Sequence, residues 1–295
     1  MPQNNSMRDR WLVKLIRLLS ALPLSMLYLI ADGLFLILFY VIRYQRNLVI
    51  ENLRGAFPDL STQEIYKLAR NSYRNTTQVL VEIIKAQRMD RSQLIRRAPI
   101  ENPSAVQKFL DAGKSVLILT THQCNWEWSQ LACSAYFDYP VQVVYKPLSH
   151  PQLDSLLGNI RGRFDSQMIP ARQSLELLKN RSQAKLIVLA ADLGPRPDEK
   201  QVWHKFMHQD TAFYPGAGLI AQRLQVPVFF AAMTRTRRGY YCIRVEHLFD
   251  NAADATEESI MSAYVNALEK SISANPAGWL WLNKRWKYPK PDKGI

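Results

Sequence analysis

Apolar residues run almost unbroken through 116–119, 186–190 and 226–233, and each run is closed off by polar or turn-forming neighbours. Runs of that length predict strands covered on both faces, as in the parallel core of an α/β sheet. A further strand is predicted over 141–145, and 240–245 alternates like a sheet edge. Between them the spacing turns helical. It does so over 104–112, after Asn125, over 151–163 with a proline at its start, over 175–178, over 215–224 and in a closing helix over 256–273. Upstream, Ser61 or Thr62 caps a long helical pattern over 63–86, with Ile65, Leu68, Ala69, Val79, Leu80 and Ile83 as inward positions. Residues 91–97 read as a basic connector. Strands separated by helices predict a single α/β domain with a mostly parallel central sheet flanked by helices.

The amino-terminal stretch follows another rule. Between 18 and 42 the only formal charge is Asp32, with Arg8, Arg10, Lys14 and Arg17 before it and Arg43 and Arg46 after. About 20 apolar residues suffice to cross a bilayer, and no small-residue cleavage site closes the run as in a signal peptide. Pro23 and the Asp32-Gly33 pair interrupt it, so a span and a re-entrant bend both stay open. Basic flanks on both sides give no orientation. Against the alternative, a buried helix pair of the folded domain, we read 1–45 as a hydrophobic membrane anchor and 46–295 as the catalytic domain.

Charge sharpens this picture. A formal charge of +13 over 295 residues demands anionic partners. The basic residues are spread along the chain without a nucleic-acid module signature, which leaves an anionic membrane and an acidic protein ahead of nucleic acid. Cys124, Cys133 and Cys242 are odd in number and lack metal-ligand or disulfide spacing, which fits a reducing, cytosolic setting.

The chemistry collects after the first buried run. His122 follows it directly, and Glu127 lies five residues on, in the first turn of the helix that Asn125 would cap. Inside one helix that separation would put the two side chains about 140° apart. With the helix starting after His122, the ring folds back over the first turn. Glu127 can then hold one ring nitrogen and leave the other as a base for a hydroxyl. A lone pair of this spacing is common by chance, and a capping histidine with a solvated glutamate is the alternative. Asp192, at the carboxyl end of the run 186–190, reads either as a site residue at the ligand-binding edge of the sheet or as a turn former before Gly194-Pro195. Gly216 and Gly218 open a helix and either admit a phosphate or pantetheine to the backbone or make a tight strand–helix turn.

The residues around His122 carry a resemblance. The stretch His122-Gln-Cys-Asn-Trp-Glu127 after a buried strand resembles the H-x4-D/E block of the glycerolipid acyltransferases. Its Asn-Trp-Glu form resembles the bacterial family of late, secondary lipid A acyltransferases, within the lysophospholipid acyltransferase superfamily. Val144-Tyr-Lys146-Pro with His150-Pro-x-x-Asp154 and Arg161-Gly-Arg163 is similar to the family's second block. Ala191-Asp192-Leu-Gly-Pro195 is similar to its third, and Tyr214-Pro-Gly216-Ala-Gly218 and the ending 279–287 to its later ones. Lys146, His150 and Asn283 depart from the usual residues of those blocks, which bears on the acceptor and not on the pair His122 and Glu127.

The resemblance implies an α/β glycerolipid-acyltransferase-like domain that transfers a fatty acyl chain from acyl carrier protein, or from coenzyme A, to a hydroxyl of an anionic membrane lipid. It implies direct transfer without an acyl-enzyme and no cofactor or metal, at the bacterial inner membrane with the catalytic domain facing the cytoplasm. His122 becomes the base and Glu127 its orienter. Arg161, Arg163, Asp192, Asn125 and Gly216 become candidates for binding substrate, oxyanion or phosphate. Another hydroxylated lipid such as an aminolipid as acceptor, a thioester hydrolase, and a non-catalytic membrane protein are the competing readings. Other signals carry less. His204 and His208 have the i, i+4 spacing of a zinc clamp on a helix but no third ligand, and Cys124 reads as a core thiol before a nucleophile. The aromatic, basic tail 279–287 suits a bilayer interface better than nucleic acid.

Overall fold

The structure is a computed structural model that describes residues 7–178 and 183–291. Its helices are α1 (Met7–Ala21), α2 (Leu24–Leu36), α3 (Arg46–Ala56), α4 (Thr62–Ala86), α5 (Arg91–Arg97), α6 (Ser104–Asp111), α7 (Trp126–Tyr136), α8 (Pro151–Arg161), α9 (Gly216–Leu224) and α10 (Glu257–Ala274). The strands are β1 (Ile100–Glu101), β2 (Val116–Thr120), β3 (Val141–Tyr145), β4 (Gln167–Pro170), β5 (Leu186–Ala190), β6 (Val202–Phe206), β7 (Gln209–Phe213), β8 (Val228–Arg237) and β9 (Tyr240–Phe249). Seven of them form one sheet in the order β1-β9-β8-β2-β5-β3-β4, and β6 with β7 makes a separate hairpin. Within the large sheet only β8 and β9 pair antiparallel. The mostly parallel α/β sheet expected from the sequence is the observed fold.

The alternation of the central strands explains the layering. Leu117, Leu119, Ile187, Val228 and Phe230 point into one core, with α3, the first half of α4, α9 and α10. Val116, Ile118, Leu186, Val188 and Phe229 point into the other, with the second half of α4, α5, α6 and α7. Successive side chains of a strand face opposite ways, so a strand with helices on both faces must be apolar throughout. Truncating one of these, Leu119→Ala for instance, would cost about 3 kcal/mol.

Several local expectations are corrected. Pro23 does separate α1 from α2, but α2 runs straight through Asp32-Gly33 and continues as a π turn over Ile37–Val41. Ser61 closes a capping box with Glu64 and starts α4, whose Leu80 is exposed where it was expected inside. Residues 91–97 form α5, because Asp90 and Gln93 make a second capping box. His204 lies on β6 and His208 in the β6–β7 turn, so the helical spacing does not apply to them. The tail is no interface belt at its start: Trp279 and Trp281 are buried, in edge-to-face contact with each other.

Candidate active site

Strands β2 and β5 pair in register, with Thr120 opposite Ala190 as the last pair. Two residues past each of these come His122 and Asp192, so the pairing brings a histidine and a carboxylate together at the carboxyl edge of the sheet. Sites in open α/β sheets form at this edge. His122 Nδ1 lies 2.6 Å from Asp192 Oδ1. The other carboxylate oxygen accepts three hydrogen bonds, from Thr121 Oγ1 at 2.7 Å, the His122 backbone N–H at 2.8 Å and Trp279 Nε1 at 2.8 Å. A carboxylate so placed accepts only, which assigns the proton to Nδ1 and leaves Nε2 as the basic nitrogen.

The backbone holds this geometry from behind. The His122 carbonyl accepts from Leu280 N–H, Cys124 N–H donates to the Gly278 carbonyl at 2.7 Å, and Gln123 bridges Trp279. The segment 278–280 thus lies along 122–124 as a short antiparallel partner. Cys124 turns the chain with φ +53°, and Asn125 then caps α7 by accepting the Trp128 N–H at 3.0 Å. Burial pushes the Cys124 thiol up to about 12, which suits a core thiol and not a nucleophile.

The two members of the sequence pair part company here. Glu127 does sit in the first turn of α7, but its carboxylate is taken by Arg161 from the end of α8. Nε donates to Oε2 at 2.8 Å and Nη2 donates to Oε1, the two-pronged geometry that suits a guanidinium. The ring nitrogen of His122 is held by Asp192 and not by Glu127. A carboxylate from the neighbouring strand reaches the ring edge-on, whereas one in the helix that follows is better placed to meet the arginine across α7 and α8.

Electrostatics follow from these contacts. Burial favours neutral His122, but the Asp192 carboxylate beside it wins and raises the imidazole above its ordinary value. Burial likewise works against ionised Asp192, yet His122 and the donors around it bring the acid down to about 2. Arg285 supplies further positive charge that acts on Asp192. It is 5 % exposed, stacks over the Phe213 ring, and leaves Nε and Nη2 unpartnered. Its burial lowers it to about 10. Gly194 makes room for it, since a Cβ there would stand 2.9 Å from Arg285 Nη1.

A cavity of 860 Å³ opens beside His122. Val144, Leu189, Leu219 and Ile220 give it an apolar interior. Its lining also holds Glu127 and Arg161, and the cations Lys146, Arg172, Arg196 and Lys200. Lys146 donates to Tyr214 Oη at 3.0 Å, and Tyr214 in turn bonds Glu199, so the segments around 146, 199 and 214 meet at one side of it. Gly216 lines the same cavity, with no atom within 4 Å of where its Cβ would be. Gly218 instead packs against the start of α10, where a Cβ would meet the Glu257 carbonyl at 2.7 Å.

Of the residues singled out in the sequence, His122, Glu127, Arg161 and Gly216 line the cavity, and Asp192 does not line it but holds the His122 ring. Two stand elsewhere. Arg163 donates to the carbonyls of Ala86, the last residue of α4, and of Met89 just after it, and Asn125 is spent on capping α7 and on Glu82 Oε2 at 2.9 Å. Neither lines the cavity expected to take substrate, and both side chains are engaged in hydrogen bonds within the fold. Trp279 was missed as a site residue. Its place on Asp192 depends on a contact 87 residues apart in the chain, which no local pattern signals.

Comparison with known proteins gives a family for the chain. The family model described as bacterial lipid A biosynthesis acyltransferase matches residues 5–288. Among curated proteins, the lipid A biosynthesis lauroyltransferase of Escherichia coli (strain K12) is 21 % identical over 282 residues, which cover 94 % of this chain and 90 % of that protein.

Proposed function

From the premise that the chain belongs to the bacterial lipid A biosynthesis acyltransferase family, we propose that it carries a fatty acyl group from an acyl carrier protein thioester to a hydroxyl of a lipid A precursor, with His122 as general base. One observation carries this reading: the imidazole has its Nδ1 fixed on Asp192 at 2.6 Å and lines a cavity with an apolar interior and a cationic wall. An alcohol is a poor nucleophile at neutral pH, and a base with a pKa near the working pH is the group that improves it.

The acceptor hydroxyl gives its proton to Nε2 as its oxygen attacks the thioester carbonyl. Asp192 then faces an imidazolium, and its charge stabilises that state where neutral water would not. The carbonyl oxygen gains negative charge, for which the Arg161 guanidinium, held in place by Glu127, is the counter-charge in the cavity wall. Collapse expels the carrier thiolate, which takes the proton back from His122. The atoms balance without an acyl-enzyme or a metal. The apolar interior takes the acyl chain, and Lys146, Arg172, Arg196 and Lys200 suit an anionic head group or an acidic carrier. The acceptor is drawn from the cytoplasmic face of the bacterial inner membrane.

The test is to mix the enzyme with radiolabelled acyl carrier protein or the corresponding coenzyme A thioester and a lipid A precursor. A product heavier by one acyl chain is expected, formed faster from the carrier protein. His122→Ala should slow it about 10³-fold with an unchanged melting temperature. Free fatty acid as the sole product would identify a thioester hydrolase instead.

A further inference from the structure

The apolar segment Leu24–Val41 is long enough to cross a membrane, at about 27 Å for 18 helical residues. Only 28 % of it is buried in the protein. Leu27, Tyr28, Ala31, Phe35 and Phe39 face inward, and α2 packs along α4. On the opposite side Leu29, Ile30, Leu36, Ile37, Tyr40 and Val41 are exposed, at the spacing of a single helix face. Helix α1 adds Trp11, Leu15 and Leu18, again one face. A patch this apolar is not left to water.

The inward side decides how such a patch can be covered. Midway along the segment Asp32 pairs with Arg238 at 2.6 Å and accepts from Gln78. The Arg74 guanidinium lies 5.1 Å from the Phe35 ring and that of Arg238 lies 4.4 Å from Tyr28. If α2 crossed a bilayer, these charges and the polar helix α4 would be carried to its centre, where charged side chains are expelled. Between Trp11 and Ile50 the only acidic residue is Asp32, while Lys14, Arg17 and Arg43 are exposed cations. We infer that α1 and the outer face of α2 lie in the plane of one leaflet of an anionic phospholipid bilayer, with both ends of the apolar segment on the side of the catalytic domain. The inward face stays on the protein, the outer face enters the acyl boundary, and the cations meet head-group phosphates. The inference stands on this surface alone and does not depend on which acyl acceptor is used.

The experiment uses the full chain reconstituted into sealed vesicles of phosphatidylethanolamine and phosphatidylglycerol, in a Cys242→Ser background that leaves only the buried Cys124 and Cys133. Lys14→Cys and Arg43→Cys, made singly, should both react with a membrane-impermeant maleimide to the same extent in molecules whose catalytic domain is outside. Protection of Lys14→Cys until detergent is added, with Arg43→Cys labelled, would mean a span and overturn the inference. In a second arm, Leu29→Glu with Val41→Glu should weaken vesicle binding at least tenfold with an unchanged circular dichroism spectrum. Unchanged vesicle binding in that variant, or a detergent-free dimer of the parent chain that ignores vesicles, would also overturn it.

Discussion

Two buried carboxylates flank the turn that carries His122, and they have nearly the same inventory of contacts. Asp192 is 1 % exposed and Glu82 is 0 % exposed. Each accepts four hydrogen bonds. Those to Glu82 come from Tyr28 at 2.8 Å, Arg235 at 3.3 Å, Asn125 at 2.9 Å and Tyr241 at 2.5 Å. They tie together α2, the start of α7 and the β8–β9 pair, and none of the four donors lines the cavity. Among the Asp192 donors one is an imidazole that can gain or lose a proton, and its ring lines the cavity. Burial and full satisfaction thus mark both groups as costly to disturb. Only Asp192 has an imidazole partner that lines an open cavity, and the proposed division of roles rests on that difference.

Removing one charge at a time should separate the two. Asp192→Asn keeps an acceptor for Thr121, the His122 backbone and Trp279 but no longer stabilises an imidazolium, and kcat should fall about 10³-fold or more with the fold intact. Glu82→Gln must aim an NH2 at groups that donate, so about 3 kcal/mol of stability should go. The folded fraction should keep kcat to within tenfold, a barrier change below about 1.4 kcal/mol. Thermal melts and steady-state rates on both variants decide it. An Asp192→Asn enzyme of normal kcat, or a Glu82→Gln enzyme that melts normally but is inactive, would reverse the assignment.

The same comparison shows how far the chain could be read unaided. The runs 116–119 and 186–190 are local facts, so two buried strands, and with them the edge carrying His122 and Asp192, were legible. Which carboxylate meets the ring was not. It depends on β5 lying beside β2 with Thr120 opposite Ala190, a contact between residues 70 apart, and Glu127 was the nearer choice in sequence only. The β6–β7 hairpin escaped for a different reason. Its turn residues Met207 and His208 adopt φ of +48° and +65°, a conformation usually announced by Asn or Gly, and here no such residue stands. Trp279 and Trp281 looked amphipathic because aromatic residues flanked by lysines and arginines are common at a bilayer, but pairing of 278–280 with 122–124 draws both inside.

A pH series sharpens the Asp192 side. His122 works as a base only when neutral, and Asp192 raises it above 6.5, so the acid limb of kcat should have its midpoint above that value. In Asp192→Asn the pull of burial is no longer opposed, and the residual activity should show the limb displaced to lower pH. A limb that does not move would detach Asp192 from the base. Stability gives an independent reading of the pair. The raised His122 contributes stability that is full below 6.5 and lost as pH rises through its folded value. The depressed Asp192 contributes stability present above 3.8 and lost as pH falls through about 2. Both contributions are therefore present together between 3.8 and 6.5, and melts across that window should show the largest gap between the parent and Asp192→Asn.

The smallest expected effect concerns the two arginines that a single motif brought into view. Arg161 and Arg163 stand two residues apart, yet one guanidinium meets a carboxylate in the cavity wall and the other meets backbone carbonyls at the end of α4. Arg161→Ala leaves the 3 %-exposed Glu127 without its counter-charge and should cost both stability and turnover. Arg163→Ala removes two charge-assisted hydrogen bonds at a half-buried position, worth about 1–2 kcal/mol together, and should lower the melting temperature while kcat and KM stay put. If Arg163→Ala instead raised KM for the lipid acceptor without a change in melting temperature, its guanidinium would have to leave the α4 carbonyls when substrate arrives, and the second arginine of the motif would belong to binding after all.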